Sequence, residues 1–396
     1  MLVKKQIPSD LLTRGIEEII QRHSLESKLQ SGKPLRIKHG VDPTTQDLHL
    51  GYAVIYQKLK VWQDLGHKII FLVGDFTGRF GDPTDQNQTR KLRDKKEIEN
   101  KAQNYIKQIG KILDIKKTEI RRNSEWYGKM SAEELLKLQS HFTVSRLLER
   151  DMFQVRIKKG KEIGYHEPVY PILQAYDSVM LKSDLTIIGT DQKFNELQAR
   201  NLQKEFGQAP QDVITMSLLI GTDGKRKMSQ SLDNYIGIAE APNEMYGKVM
   251  SIPDSLIMHY FELTTQVSAT ELKAIQNELK SGTNPRKVKA RLAEEIITTY
   301  HSKKEANKAA KEFDQVFKNK KAPSDVPSYK PSKKKLDLLT LLTESGLVTS
   351  KSEARRLIEQ KAVKIDNQVQ SDWQSPILLK SNSVIQVGKR KFVKIK

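Results

Sequence analysis

An α/β fold built on a doubly wound parallel sheet is predicted for residues 1–232 of this 396-residue chain. An α-helical domain over 233–317, a linker over 318–335 and a small α+β domain over 336–396 follow. Three observations carry this. Leu35-Arg36-Ile37-Lys38-His39-Gly40-Val41 alternates like a strand. After an intervening helical stretch, Ile69-Ile70-Phe71-Leu72-Val73 is a continuous apolar run, as suits a strand buried on both faces. Each strand runs into a loop and then a helix, which is the rhythm of Rossmann-like sheets.

The elements follow in order. Residues 1 to about 33 read as helical, from Leu11, Leu12, Ile16, Ile19 and Ile20. After the first strand, Pro43 and its polar neighbours form a loop, and His49 to about Leu65 forms a helix closed by Gly66. A Gly-rich loop from Gly74 to Pro83 precedes a charged helix from about Arg90 to Ile112. Leu185-Thr186-Ile187-Ile188-Gly189 and Val213-Ile214-Thr215-Met216 are later strands. The pattern from Asp233 to Phe317 is helical, and the Lys-, Pro- and Ser-rich stretch after it reads as a linker. Leu336, Leu339 and Leu342, then Ala354, Leu357 and Ile358, predict two short helices. Val363-Lys364-Ile365, Val384-Ile385-Gln386-Val387 and Phe392-Val393-Lys394-Ile395 predict small strands.

Composition narrows the function classes. Hydrophobic residues make up 37%, enough for a packed core. No stretch approaches the ~18 apolar residues of a membrane span. Polar Gln6, Pro8 and Ser9 follow Lys4 and Lys5 where a secretion signal needs an apolar run, so a cytoplasmic location is expected. The absence of cysteine excludes disulfides and thiolate zinc sites, and no metal site is expected. The net charge of +20 favours a polyanionic partner, since each neutralised phosphate releases counterions. A lysine-rich proteome is the alternative source of that charge.

Three segments carry chemistry. In Pro43-Thr44-Thr45-Gln46-Asp47-Leu48-His49-Leu50-Gly51-Tyr52 a loop turns into a helix near His49. A helix N-terminus offers unpaired N–H groups to phosphate, an imidazole there can donate to a phosphate oxygen, and Gly51 lets a nucleotide approach the backbone. A helix-capping or core role is the other reading of His49. Gly221-Thr222-Asp223-Gly224-Lys225-Arg226-Lys227-Met228-Ser229-Gln230-Ser231 is a basic loop, suited either to solvent or to leaving phosphates, where negative charge builds in a transition state. In Tyr170-Pro171-Ile172-Leu173-Gln174-Ala175-Tyr176-Asp177, the polar residues Tyr170, Gln174 and Asp177 share one face of a mostly apolar helix. A bound polar ligand or a structural network could satisfy them.

The first two segments, in this order, resemble the HIGH and KMSKS signatures of class I aminoacyl-tRNA synthetases. The third resembles the tyrosine-binding helix of bacterial tyrosyl-tRNA synthetases. The resemblance spans nearly the whole chain from about residue 30. It implies a ligase that activates L-tyrosine with ATP to tyrosyl-adenylate and pyrophosphate, then transfers tyrosine to tRNA(Tyr). By that resemblance, His49, Tyr52, Lys227 and Gln230 are catalytic. ATP is held by Pro43, Thr44, His49, Gly51, Tyr52, Asp191, Lys227, Met228, Ser229, Gln230 and Ser231. Asp42, Asp82, Tyr170, Gln174, Asp177 and Gln192 hold tyrosine, with Asp177 on the phenol. Arg90 contacts pyrophosphate. The C-terminal domain, through Arg355 and Arg356 on a helix capped by Ser350 or Ser352, resembles a small RNA-binding domain.

The resemblance further implies Mg²⁺ carried with ATP, no tightly bound cofactor, a homodimer and no membrane partner. Two residues depart from the family pattern. Tyr52 stands where a second histidine is usual, and Gln230 where a second lysine is usual; Lys225 or Arg226 is a candidate to compensate. A family lysine is also replaced near Gln86. Related readings are a ligase for another amino acid, tryptophan being nearest, and a non-enzymatic RNA-binding relative.

Overall fold

The computed structural model describes residues 8–45, 47–82, 92–318, 327–333, 335–374, 376–388 and 391–396. Strands β1 (Ile16–Ile20), β2 (Arg36–Val41), β3 (Lys68–Val73), β4 (Glu119–Arg122), β5 (Leu185–Gly189) and β6 (Asp212–Met216) form one sheet in the order β1-β6-β5-β2-β3-β4. Every pairing is parallel except β1 with β6. The chain runs from β2 outward to β3 and β4, then resumes on the other side of β2 with β5 and β6. The direction of winding therefore switches between β2 and β5. In such sheets ligands gather at that switch, beyond the carboxyl ends of the strands.

The expected doubly wound sheet is present, with three local corrections. Ile16–Ile20, read above as helix, is an edge strand paired antiparallel to β6, and the helix begins only at Arg22. Gly15, at φ +65°, turns the chain into it. Non-local pairing overrides a weak helical pattern here, and the run of isoleucines is compatible with either state. The charged helix spans Lys95–Ile109, capped by Asp94, whose side chain accepts from the N–H groups of Lys96 and Glu97. The Gly-rich loop contains one helical turn, Thr77–Phe80.

β2 is an interior strand, paired on both edges by β3 and β5, and both of its faces are also covered. Ile37, Lys38 and His39 are all buried, although Lys38 falls on the polar phase of the alternation. Ile69, Ile70 and Phe71 of β3 and Ile187, Val213 and Ile214 of β5 and β6 are fully buried. Against β3 pack Trp126, Tyr127, Leu173 and Leu181. This fixes the Tyr170–Leu181 helix along one face of the sheet, with Tyr170 at the carboxyl end of β2 and Leu181 at its start.

The chain divides into two compact units, Met1–Glu240 with Ile252–Leu292, and Ala241–Ser251 with Ala293–Lys396. Residues 233–317 form the helices Pro242–Ser251, Ile257–Thr264, Ala269–Lys280, Pro285–Tyr300 and Lys303–Lys318 and no strand. In the second unit, strands β7 (Ser328–Tyr329), β9 (Val363–Ile365), β10 (Gln368–Val369), β12 (Val384–Val387) and β13 (Lys391–Ile395) form a sheet ordered β10-β9-β12-β13-β7, while β8 (Lys335–Leu336) pairs with β11 (Ile377–Leu378). β7 lies within the stretch read as a linker. Helices Leu338–Glu344 and Lys351–Glu359 close one core with this sheet through Leu338, Leu341, Leu342, Ala354, Ile358 and Val393. Ser350 is the cap of the second helix, accepting from the Glu353 N–H.

Candidate active site

A cavity of about 310 Å³ opens at the switch point of the large sheet. Its walls begin where strands end: Asp42 follows β2, Gly74 follows β3, and Asp191 and Gln192 follow β5. Of the residues expected at the site, Asp42, Thr44, His49, Gly51, Tyr52, Asp82, Tyr170, Gln174, Asp177, Asp191, Gln192, Lys227, Met228 and Ser229 all line it. Pro43, Gln230 and Ser231 do not line it, and Arg90 and Gln86 lie outside the described residues.

The floor is set by Asp177, which is 4% exposed. Trp126 Nε1 donates to its Oδ1 at 3.0 Å, and Asn123 Nδ2 donates to its Oδ2 at 3.4 Å. Burial pushes the Asp177 carboxyl up to about 7, and the Lys38 ammonium is the largest influence opposing that rise. On the same helix Tyr170 donates its hydroxyl to Asp42 Oδ2 at 3.0 Å, and Thr77 donates to the other Asp42 oxygen at 2.8 Å. Gly74 leaves room for this arrangement, since a Cβ there would stand 2.0 Å from Asp42 Oδ1 and displace it. Gln192 Nε2 donates to Asp82 at 2.7 Å, and Arg150 approaches the same carboxylate at 3.5 Å. Gln174 is held at both ends of its amide, donating to Glu196 at 2.8 Å and accepting from Asn195 at 2.7 Å. Two carboxylates, Asp42 and Asp82, thus flank one side of the cavity, a setting that attracts an ammonium group.

The rim is made of the two signature segments. His49 is the N-cap of the Leu50–Asp64 helix, and its Nδ1 accepts from the Gly51 N–H at 3.1 Å. That bond places the ring proton on Nε2. Burial lowers the imidazole to about 4, so it is a neutral donor at pH 7. His49 is therefore both a helix cap and a cavity residue. Gly51 makes the fold-back possible, because a Cβ would lie 2.9 Å from the ring. Tyr52 stacks on His49 with centroids 4.5 Å apart. Burial, with Asp191, Asp42 and Asp82 nearby, holds its phenol well above the ordinary range, so it stays protonated.

Lys227 reaches Asp191 at 3.4 Å across the mouth. Its loop is pinned by buried Asn234, which accepts from the Ser229 N–H at 2.8 Å and donates to the Lys227 carbonyl at 3.1 Å. Gly221 leaves the space that Asn234 fills, since a Cβ there would come within 2.2 Å of the amide nitrogen. Gln230 instead donates to the Asp47 carbonyl at 2.7 Å, tying this loop to the one before His49. Arg226 pairs with Asp223 at 2.8 Å, and neither it nor Lys225 lines the cavity. Among the described residues no cluster of three or more His, Asp or Glu side chains is placed to hold a metal ion.

Several residues at the site carry no sequence motif. Asn123 and Trp126 follow β4, and their position just beyond a strand's carboxyl end is the one signal that marks them. Lys38 and Glu196 form a buried ion pair at 2.9 Å against the cavity wall, and a lysine inside an interior strand marks the first of them. In the second unit Arg355 is bound to Glu359 at 3.0 Å and lies over the Trp373 ring at 4.7 Å, while Arg356 is exposed.

This sheet, with phosphate-type donors on one rim and a polar pocket below, defines a class I nucleotide-dependent ligase site. Comparison with known proteins agrees. The family model for tRNA synthetases class I (W and Y) matches residues 30–318, and that for the tyrosine–tRNA ligase SYY-like C-terminal domain matches residues 318–395. A tyrosine–tRNA ligase of Francisella tularensis is 48% identical over 386 residues, covering 98% of this chain and 97% of that protein. One from Idiomarina loihiensis is 48% identical over 386 residues, covering 97% and 96%. The crystal structure of a C-terminally truncated mitochondrial tyrosyl-tRNA synthetase of Coccidioides posadasii superposes with a TM-score of 0.65 at 22% identity, over 78% of this chain and 92% of that one. The chain belongs to the tyrosine–tRNA ligase family.

Proposed function

We propose that this chain activates L-tyrosine with ATP, forming tyrosyl-adenylate and pyrophosphate, and passes the tyrosyl group to the 3′ end of tRNA(Tyr). One observation carries the proposal: Asp177, His49 and Lys227, which are far apart in sequence, line a single cavity. The tyrosine phenol donates to Asp177, and the ammonium group lies among Asp42, Asp82, Tyr170, Gln174 and Gln192. This leaves the carboxylate directed at the rim, where it attacks the α-phosphorus of ATP. His49 donates through Nε2–H, Tyr52 through its phenol, and the Lys227 charge meets the leaving phosphates, where it stabilises the transition state more than the ground state. Thr44, Gly51, Met228 and Ser229 border the nucleotide, and Asp191 faces the ribose. No side chain acts as a covalent nucleophile; alignment and charge stabilisation supply the rate. Mg²⁺ enters with ATP.

Phenylalanine offers no donor to Asp177 and leaves the floor's polar groups unpaired, so selection needs no editing site. ATP–pyrophosphate exchange with tyrosine, phenylalanine and tryptophan tests this. Exchange with tyrosine alone is expected, and a preference for tryptophan would refute the assignment.

The second unit, with exposed Arg356, serves as the RNA-binding end, and the full chain acts in the cytoplasm. No helix among the described residues is long and apolar enough to cross a membrane. Deleting the chain after Lys335 is expected to spare exchange and weaken tRNA charging; full charging by the truncated chain would remove that role. Exposed Leu136, Val144, Val155, Ile157 and Tyr165 lie within one short sequence stretch of the first unit and support a homodimer. Sedimentation at working concentration tests it.

A further inference from the structure

The Lys38–Glu196 pair takes no part in the roles above, yet it is the most completely buried charge in the cavity wall. Each residue is 1% exposed. The Lys38 ammonium donates to both Glu196 oxygens at 2.9 Å and to Ser178 Oγ at 2.6 Å, so all three of its protons are engaged. The remaining capacity of Glu196 is directed outward, where its oxygens accept from Gln174 Nε2 at 2.8 Å and from Gln211 Nε2 at 2.7 Å. With Asn195 holding the other end, the Gln174 amide has one orientation, with one N–H and one lone pair left for the pocket. Replacing a buried ion pair by apolar residues of the same shape is often neutral or stabilising, so stability alone does not account for this one.

We propose that Lys38 and Glu196 are a positioning pair for tyrosine selection: Glu196 sets the Gln174 amide at the pocket wall, and Lys38 supplies the buried positive charge that keeps Asp177 an anionic acceptor for the substrate phenol. This rests on the tyrosine reading of the cavity. Asp177 is faced by Lys38 from β2, by Asn123, Trp126 and Tyr127 from the segment after β4, and by Tyr170 on its own helix; Glu196 acts from the Lys193–Glu205 helix through Lys38, and Thr77 through Asn123. Lys38 is the one cation in that set. Burial drives the Asp177 carboxyl upward, and the ammonium opposes it most.

The test is tyrosine-dependent exchange by the full-length chain from pH 5.5 to pH 9, with phenylalanine as competitor. In the Lys38→Met/Glu196→Gln double variant both charges go together, and Gln at 196 still accepts from Gln174. Its KM for tyrosine at pH 7 is expected to rise about tenfold, and its selectivity over phenylalanine to fall by about as much. The acid limb of kcat/KM for tyrosine should move upward by about 1 in pH, with KM for ATP unchanged. Lys38→Arg, which keeps the charge, should hold the limb at the wild-type position, and it remains informative if the double variant does not fold. An unmoved limb with unmoved selectivity in the double variant, or a displaced limb in Lys38→Arg, would overturn the proposal. A wild-type chain without tyrosine exchange would instead remove the tyrosine assignment beneath it.

Discussion

The floor and the rim of the cavity bury their charges differently. Asp177, at the floor, is 4% exposed and receives fixed donors from Trp126 and Asn123. Lys227, at the rim, has a third of its side chain exposed and stands on a loop held by Asn234 and by the Gln230 bond to the Asp47 carbonyl. The floor is built on strands and helices, so its geometry exists before any ligand arrives. The rim cation stands on a loop, with part of its side chain in solvent. A preformed floor suits ground-state recognition of an amino acid. A part-exposed rim cation suits charge that appears only as the phosphates separate.

Removing the rim cation is the largest expected effect. Lys227→Ala should slow adenylate formation by about 10²–10³-fold, as deletion of a single preorganised transition-state donor does. KM for tyrosine should stay within about twofold, since Lys227 pairs with Asp191 at the mouth of the cavity. Single-turnover exchange measures both. A parallel rise in KM for tyrosine would show that floor and rim are not separable.

At the floor, Asp177→Asn should lower selectivity for tyrosine over phenylalanine by about 10- to 100-fold, the equivalent of the roughly 1.5–3 kcal/mol of a hydrogen bond to a charged group. The same residue governs two pH effects. Its carboxyl lies at about 7 in the folded chain against 3.8 ordinarily. Between about pH 4 and pH 7 the folded chain therefore holds a proton that the unfolded chain has released. Stability attributable to Asp177 falls as pH rises through that window, by about 4 kcal/mol in all. Asp177→Asn should remove that slope and gain on wild type in urea unfolding at pH 8. A slope unchanged in the variant would place its source elsewhere. In catalysis the sign reverses, because the role proposed for Asp177 requires the ionised carboxylate: kcat/KM for tyrosine should climb through about pH 7 and level off. His49, lowered to about 4, stays neutral across this range, so KM for ATP should not follow the same curve.

What could be read ahead of the structure follows the same division. The sheet was visible because β2 alternates and β3 is a continuous apolar run. β1 was not, because an edge strand exists only through its partner, and β6 lies almost two hundred residues away along the chain (Ile16 faces Met216). Motif residues such as His49 and Asp177 carried their own local signal. Asn123, Trp126, Lys38 and Glu196 did not, since they meet only through the strand order β5-β2-β3-β4. Trp126 would pass for core, and Lys38 for the solvent side of an alternating strand. Gln230 shows the converse. Its place in a signature motif points to ATP, yet its amide is used by the Asp47 carbonyl, a backbone acceptor that no sequence pattern displays.

That bond gives the smallest and most selective test of the contrast. Gln230 Nε2 to the Asp47 carbonyl joins the Lys227 loop to the turn that presents His49, so it couples the two halves of the rim and touches nothing at the floor. A single neutral hydrogen bond contributes about 0.5–1.5 kcal/mol net. Gln230→Ala should therefore raise KM for ATP by about 2- to 10-fold through a looser rim, with KM for tyrosine and selectivity over phenylalanine unchanged. Gln230→Lys, which restores a cation at this position, should also lose the amide bond but return part of the ATP affinity through phosphate attraction. If Gln230→Ala moved tyrosine selectivity instead, the floor would depend on rim closure, and the preformed pocket inferred from Asp177 and its fixed donors would have to give way to one completed by ATP.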